Sequence, residues 1–232
     1  MLVNDPRHGP LPAFLLALTV VTGLVDAVSF LNLGHVFVSN MTGNVVFLGF
    51  AAAGAGGIAP QRSLVAIVMF ALGSGFGGRM AVRWGAHRGH ILLAAIGLEF
   101  VLVLLALATS FGPLASTGEA AAYAQIILLA LAMGIQNAAA RAVGVPDLTT
   151  TVITLTMTAF ASESFLGSGT NRNVVRRASA IGAMFVGALI GGLLVLHGGV
   201  PAALAIALVL LASTGIAVQR VSPGAPAWTQ TT

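Results

Sequence analysis

The sequence predicts an all-α polytopic transmembrane bundle built from two related halves. Hydrophobic residues make up 57% of the chain and charged residues only 7%, whereas soluble domains contain about 25% charged residues. Apolar stretches near the roughly 20 residues that a helical span needs recur along the chain. A short pattern near residue 23 also returns near residue 134. These observations predict one membrane domain, 1–232, with repeat 1 at about 11–110 and repeat 2 at about 121–220.

Eight apolar segments can be delimited. Their boundaries are about 11–33, 45–58, 64–82, 91–109, 121–140, 152–165, 178–196 and 200–218. The second and the sixth segments are short, and polar residues precede them: Asn40, Thr42 and Asn44 in one case, Thr149, Thr150 and Thr151 in the other. Half-helices or re-entrant segments have this pattern.

The distribution of arginine tests whether the two short segments cross the bilayer. All ten basic residues are Arg, and two loops hold most of them: Arg79, Arg83 and Arg88, and Arg172, Arg176 and Arg177. Arginine-rich loops prefer the cytoplasmic face. If the second and sixth segments enter and return, the two loops share a face; if all eight segments span, they lie on opposite faces.

We therefore expect six full spans plus two short or re-entrant helices, with both termini cytoplasmic. Arg7, Arg141 and Arg220 then also lie inside, and Arg62 is the exception. Each half would contain three spans, and an odd number of crossings makes the two repeats inverted. Eight spans with parallel repeats is the alternative.

The two halves share two groups of residues. The run Gly23-Leu24-Val25-Asp26-Ala27 has its counterpart 111 positions later, in Gly134-Ile135-Gln136-Asn137-Ala138. Gly73, Gly77 and Gly78 likewise match Gly187, Gly191 and Gly192 at an offset of 114. The GxxxG spacing lets two helix backbones approach closely. We expect it to serve packing within the bundle rather than a dimer interface, because such spacings are common in membrane helices.

On these residues the chain resembles the YoaK family, also called the DUF1275 family, of bacterial inner-membrane proteins. The resemblance rests on residues 23–30, on residues 34–44 with their Met-Thr-Gly-Asn stretch, and on Gln136-Asn137-Ala138 with Arg141, Thr150 and Thr151. The chain departs from the family pattern at Thr154-Leu155, where Thr-Gly is usual. The resemblance implies a six-span protein of the inner membrane and supplies no substrate.

Asp26 is the first candidate functional residue. With Thr19, Thr22 and Ser29 it forms one polar stripe on the first helix, which must face protein or water rather than lipid. Ionisable groups inside a bilayer are costly and are functional candidates by default. Asp26 is therefore expected to be a proton or cation carrier or a substrate ligand. The structural alternative is a cap that accepts hydrogen bonds from the polar break after the helix.

Further polar groups recur at equivalent places in the two halves. The sixth segment carries Thr151, Thr154, Thr158 and Ser162 on one face, which either lines a polar path or bonds back to its own helix. The predicted substrate or ion-binding set lies near the bilayer midplane and comprises Asp26, Asn40, Thr42, Asn44, Gln136, Asn137, Thr151 and Thr154. Asp26 and Glu99, an acid inside the fourth segment, are candidates for a proton relay.

Other functional classes are disfavoured. The chain has no cysteine, which excludes disulfides and thiolate metal sites. Its five histidines lack paired-ligand spacing, and no nucleophile or nucleotide motif occurs. We therefore expect no enzymatic activity, no cofactor and no metal. The arginines lie between apolar segments, so nucleic-acid binding is not expected.

The leading hypothesis is a secondary transporter or channel for a small polar solute or ion, with proton coupling through Asp26 or Glu99. A non-transporting structural or accessory membrane subunit is the alternative, and an enzyme acting on lipid is the weakest hypothesis. The expected partners are the lipid bilayer, the solute and a second copy of the chain, in contact through the fourth or eighth segment.

Overall fold

A computed structural model describes residues 8–85, 87–111, 118–146, 148, 153–163, 174–223 and 227–229. The regular structure in these ranges is helical, which confirms the all-α fold class. The helices are α1 (Leu11–Asn32), α2 (Met41–Ala52), α3 (Pro60–Arg83), α4 (Arg88–Ala108), α5 (Glu119–Val143), α6 (Ile153–Glu163) and α7 (Val174–Val221), followed by a 3-10 turn at Ala227–Thr229.

Within the described residues, five helices are long and apolar enough to cross a bilayer: α1, α3, α4, α5 and α7. Among them α1 and α5 are the most buried. The helix α2 is apolar but has only 12 residues, and at about 1.5 Å per residue its length is about 18 Å. That is well short of the hydrocarbon thickness of about 30 Å.

The helix α7 is broken near its middle. Its 48 residues would extend about 72 Å if straight, more than twice the hydrocarbon thickness. Gly199 has φ 75° and ψ 173°, a conformation that glycine tolerates and other residues avoid. Pro201 follows and lacks the amide that would continue the hydrogen-bond ladder. We call residues 174–198 the first arm of α7 and residues 200–221 the second arm.

Local residues explain where α2, α3 and α4 begin. Pro60 occupies the first turn of α3, where its missing amide costs nothing. His87 caps α4 by accepting a hydrogen bond on Nδ1 from the His90 amide at 3.2 Å; burial, together with the neighbouring His90, lowers the pKa of His87. The helix α2 begins at Met41 and not at residue 45, because the Asn40 side chain accepts the Gly43 amide at 3.4 Å.

Glycines bring α1 against the first arm of α7. A methyl group at Gly23 would come within 2.5 Å of the Met184 carbonyl oxygen, and one at Gly191 within 2.9 Å of the Ala27 Cβ. A methyl group at Gly187 would overlap the Val20 backbone. The GxxxG pair Gly187/Gly191 therefore packs inside the chain, as expected.

The helices α3 and α5 meet in the same way. A methyl group at Gly134 would overlap the Phe70 carbonyl oxygen, and one at Gly77 would come within 2.9 Å of the Ala138 Cβ. One at Gly73 would overlap the Leu131 backbone. Every residue in these contacts lies 111 or 114 positions from its counterpart in the α1/α7 contact. The first helix of each half thus packs on the third helix of the other half.

The order of these contacts gives the helix directions. Residue numbers rise together along both pairs, so α1 runs parallel to the first arm of α7, and α3 runs parallel to α5. Gly9 lies against the Trp228 ring, and Gly89 lies beside Ser222. The start of α1, the start of α4 and the end of α7 therefore meet at one end of the bundle, which we call the terminal face. The opposite end is the distal face.

Arg62, the exception to the arginine pattern, is engaged at the distal face. Its Nη1 donates to the Leu33 carbonyl at 3.0 Å, and its guanidinium lies 5.7 Å from the centre of the Tyr123 ring. Arg62 thereby joins the end of α1 to the start of α5. A carbonyl and an aromatic face partly satisfy this cation, which accounts for an arginine at that end.

The glycine contacts predict a large difference between neighbouring glycines of α3. Gly73→Ala forces a methyl group into the Leu131 backbone, whereas Gly75 has no atom within 4 Å of the same position. Overpacking of this kind typically costs about 1–3 kcal/mol. We expect Gly73→Ala to lower the free energy of unfolding in detergent by at least about 1 kcal/mol and Gly75→Ala to leave it unchanged or raised. Equal stabilities would contradict the backbone contact.

Candidate functional site

Asp26 lies buried on α1 and holds the chain that follows this helix. Its Oδ1 accepts hydrogen bonds from the Val38 amide at 3.2 Å and the Ser39 amide at 2.9 Å. Its Oδ2 accepts the Ser39 hydroxyl at 2.5 Å. Asp26 lies six residues before the end of α1, so the chain turns back into the protein by about 9 Å before α2 begins. This geometry is the cap that the sequence raised as the alternative.

Asn44 fixes the same turn from the other side. It is fully buried, its Oδ1 accepts the Phe37 amide at 2.9 Å, and its Nδ2 donates to the Phe37 carbonyl at 2.6 Å. The Phe37 ring stacks on Phe30, with 4.9 Å between ring centres, and lies 6.0 Å from Phe47. Asn44 therefore satisfies a peptide group and does not present its amide to a solute.

The equivalent residues of the second half, Gln136 and Asn137, bond to groups on α1 and on α5. The Gln136 Nε2 donates to the Thr22 hydroxyl at 2.8 Å, and that hydroxyl in turn donates to the Leu18 carbonyl at 2.9 Å. The Asn137 Nδ2 donates to the Met133 carbonyl one turn earlier, at 2.9 Å. Gln136 thus links α5 to α1, where the first helices of the two halves approach.

An open cavity of about 890 Å³ lies among α2, α3, α6 and the first arm of α7. Pockets for small ligands usually have volumes of about 300–1,000 Å³. The residues that line it are Ser39, Asn40, Met41, Thr42, Gly43, Val46, Phe47, Phe70, Thr154, Leu155 and Met184.

The cavity lining repeats itself across the two halves. Thr42-Gly43 in α2 lies 112 positions before Thr154-Leu155 in α6, and Phe70 lies 114 positions before Met184. Each half thus contributes a threonine with the residue after it and one large apolar side chain. The cavity lies where equivalent positions of the two halves face each other.

The structure brings part of the predicted set together. Asn40, Thr42 and Thr154 line the cavity, and Asp26 lies directly behind the lining residue Ser39. The described residues of the lining do not include Asn44, Gln136, Asn137 or Glu99. Glu99 is fully buried in α4, which packs on α5 and α7. Thr151 lies outside the described residues.

Sequence reasoning missed two kinds of lining residue, one polar and one apolar. Ser39 stands in the polar run but is not among the predicted binding residues, because its link to Asp26 depends on the turn between α1 and α2. Phe70 and Met184 belong to apolar segments and carry no polar signal; only their matching positions in the two halves point to them. On α6, the Thr158 hydroxyl donates to the Thr154 carbonyl at 2.9 Å, so it bonds back to its own helix.

The bonds of Asp26 predict a structural effect of removing its charge. Asp26→Asn replaces one acceptor oxygen by an amide that faces the Ser39 hydroxyl. Hydrogen bonds to a charged group contribute about 1.5–3 kcal/mol, so we expect a loss of unfolding free energy in that range. A cysteine at Thr42 should then react faster with maleimide, because the start of α2 is loosened. Glu119→Gln, at an exposed position, is the matched control. Unchanged stability and unchanged reactivity in Asp26→Asn would rule out the cap.

Comparison with known proteins places the chain in a family. The family model described as protein of unknown function (DUF1275) matches residues 14–217. UPF0700 transmembrane protein YoaK of Bacillus subtilis (strain 168) is 32% identical over 190 residues, which are 75% of this chain and 79% of that protein. No solved structure matches the chain. A family match over most of the chain, with a transmembrane relative at this identity, shows that the chain is a transmembrane protein of the DUF1275 family.

Proposed function

We propose that the chain is a non-enzymatic secondary transporter or channel for a small polar solute or ion, and that the cavity between α2 and α6 is its binding site. The observation that carries this proposal is the matched lining: Thr42-Gly43 and Phe70 from one half face Thr154-Leu155 and Met184 from the other. Carriers with duplicated halves bind their solutes at the repeat interface, beside interrupted helices.

The proposed membrane architecture has six crossings: α1, α3, α4, α5 and the two arms of α7. Helices α2 and α6 enter and return. The helix directions support this, because α1 ends at the distal face and α3 begins there, so α2 does not change sides. The helix α5 ends at the terminal face, where α7 begins; there Arg177 donates to the Ala159 carbonyl at 3.0 Å and pairs with Glu163 at 2.9 Å, which holds α6 on the same side. The two halves are then inverted repeats.

The arginines support a cytoplasmic terminal face in the inner membrane. Exposed arginines at the terminal ends of α3, α5 and α7 are Arg79, Arg83, Arg141 and Arg220. The described part of the distal face has Arg62, which is engaged by Leu33 and Tyr123. The excess of arginine favours the cytoplasm.

Cysteine labelling tests this architecture, because the chain has no native cysteine. Single cysteines at Arg83 and Gln219, both exposed and at the terminal face, should resist a membrane-impermeant thiol reagent in intact cells. Cysteines at Ala55 and Glu119, exposed at the distal face, should react. Labelling at only one of the two terminal-face positions would support eight crossings and would exclude inverted repeats.

Transport is tested with purified protein in liposomes. Liposomes that contain wild-type protein should take up a polar solute faster than empty liposomes. Liposomes with the double variant Thr42→Val/Thr154→Val should take it up more slowly than those with the wild type. Loss of a neutral hydrogen bond costs about 1 kcal/mol, which is roughly fivefold per hydroxyl. Thr158→Val, whose hydroxyl bonds its own helix, is the matched control. An imposed pH gradient in the same assay measures proton coupling.

One observation favours the alternative, a non-transporting membrane subunit. Asp26 and Asn44 are occupied by backbone groups, as in a purely structural site. The same liposome assay separates the two functions. Flux equal to that of empty liposomes for every solute and ion, from protein shown to be folded, would support the subunit.

A homodimer is also proposed, with α2 and α6 at the contact. Asn40, Thr42 and Thr154 line a cavity that is open in a single chain, and polar groups at membrane depth need protein or water around them. A second copy beside α2 and α6 would separate this cavity from lipid while leaving it open to solute. A contact through Leu208, in the second arm of α7, is disfavoured because this side chain is only 8% exposed. Native mass spectrometry in mild detergent tests the proposal: dimers lost on adding bulk at Phe50, 51% exposed on α2, support it, and monomers that still transport exclude it.

A further inference from the structure

We propose that the cavity binds an uncharged solute that both donates and accepts hydrogen bonds, such as a small amide or polyol, and not an ion. This inference rests on the proposed function, because it assigns a ligand class to the same cavity. Three features of the lining carry it: the absence of charge among its described residues, the pattern of donors and acceptors, and the apolar walls.

The described residues that line the cavity include no charged side chain. An ion that leaves water for such a site finds no opposite charge to compensate its lost hydration, which makes binding costly. The nearest acid is Asp26, behind Ser39. Its two oxygens already accept the Val38 amide, the Ser39 amide and the Ser39 hydroxyl. These donors occupy the carboxylate oxygens, and Asp26 is not among the described lining residues that could coordinate a cation directly.

The bond to Asp26 also determines what Ser39 offers to a solute. A serine hydroxyl has one proton and two lone pairs. Because the proton is donated to Asp26 Oδ2 at 2.5 Å, only the acceptor lone pairs of the Ser39 oxygen remain for the cavity. Asn40 is the complement: its Oδ1 accepts the Gly43 amide, so its NH₂ group is left to donate.

The hydroxyls of Thr42 and Thr154 can act as donors or acceptors, one from each half. The site thus presents a fixed acceptor, a fixed donor and two adaptable hydroxyls. A neutral amide or polyol satisfies all four, because it carries donors and acceptors itself. A simple anion accepts only and leaves Ser39 unpaired; a simple cation leaves the Asn40 amide unpaired.

Apolar side chains form the rest of the wall. Phe70 and Met184 are large matched residues from the two halves, and Phe47 and Leu155 add further apolar surface. A hydrated ion gains nothing from such walls. The carbon skeleton of an organic solute packs against them while its polar atoms reach Ser39 and Asn40.

The test is solute protection of a cysteine inside the cavity, in purified full-length protein. Thr154→Cys is reacted with a fluorescent maleimide in the presence of acetamide, glycerol, sodium chloride, ammonium chloride or sodium acetate at equal osmolarity. We expect acetamide or glycerol to slow the reaction at least threefold and the three salts to leave it unchanged. Glu119→Cys, exposed away from the cavity, reports any general effect of the medium on maleimide.

Second-site changes link the protection to the proposed donors and acceptors. Ser39→Ala removes the fixed acceptor, and Thr42→Val removes one adaptable hydroxyl. Each should reduce protection by acetamide, whereas Thr158→Val should not. Thermal unfolding of each variant tests whether it is folded. Thr42 is exposed on α2, so Thr42→Val remains informative if Ser39→Ala disturbs the turn held by Asp26.

The outcomes separate this inference from the proposed function. Protection by a salt alone, or by none of the five probes, overturns the uncharged class. Ion flux in liposomes without protection by acetamide or glycerol keeps the transporter and removes the ligand class. Protection by acetamide without flux keeps the ligand class and removes the transporter.

Discussion

Backbone contact at glycine holds the central helices together, and the cavity depends on it. In a bilayer, apolar side chains gain nothing by leaving lipid, so helix association relies on close packing. Gly23 lies against the Met184 carbonyl, and Gly134 lies against the Phe70 carbonyl. Met184 and Phe70 are also the matched walls of the cavity. The contacts that join the two halves therefore position residues that line the cavity, and neither half forms its lining alone.

The polar break after α1 is stable because its peptide groups have partners. An unpaired amide in a hydrocarbon environment is costly, and irregular backbone at membrane depth persists only where protein satisfies it. Asp26 accepts two amides and one hydroxyl, and Asn44 pairs both polar groups of Phe37. A buried acid in a membrane helix is a functional candidate by default. In this chain Asp26 holds Ser39 and the start of α2 at the cavity, so in the proposed function it is a positioning residue.

Much of the fold follows from hydrophobicity alone, and much of the site does not. The eight apolar segments correspond to α1 to α6 and the two arms of α7, and the interruption between the last two falls at Gly199. The start of α2 differs, because the cap at Asn40 is a local hydrogen bond that hydropathy does not register. The glycine spacing indicates close packing but not which helices are in contact. That α1 packs on α7 and α3 on α5 is a property of the tertiary structure. The sequence does not predict the role of Ser39 for the same reason, because that role depends on hydrogen bonds to Asp26, 13 positions earlier.

The departure of the second half from the first at Leu155 makes the cavity unequal. Gly43 lies against the Phe37 ring, and a methyl group there would come within 2.9 Å of it, so a larger residue on the α2 side would displace this ring. On the α6 side Leu155 occupies the matching position, with 67% of its surface exposed. The first half therefore supplies Ser39 and Asn40 in fixed hydrogen-bonding states, and the second half supplies one hydroxyl beside an apolar side chain. A solute that satisfies both sides has its polar end toward α2 and its carbon skeleton toward α6. The two matched positions thus differ in chemistry, so that in the proposed site the α2 side alone selects the polar groups of the ligand.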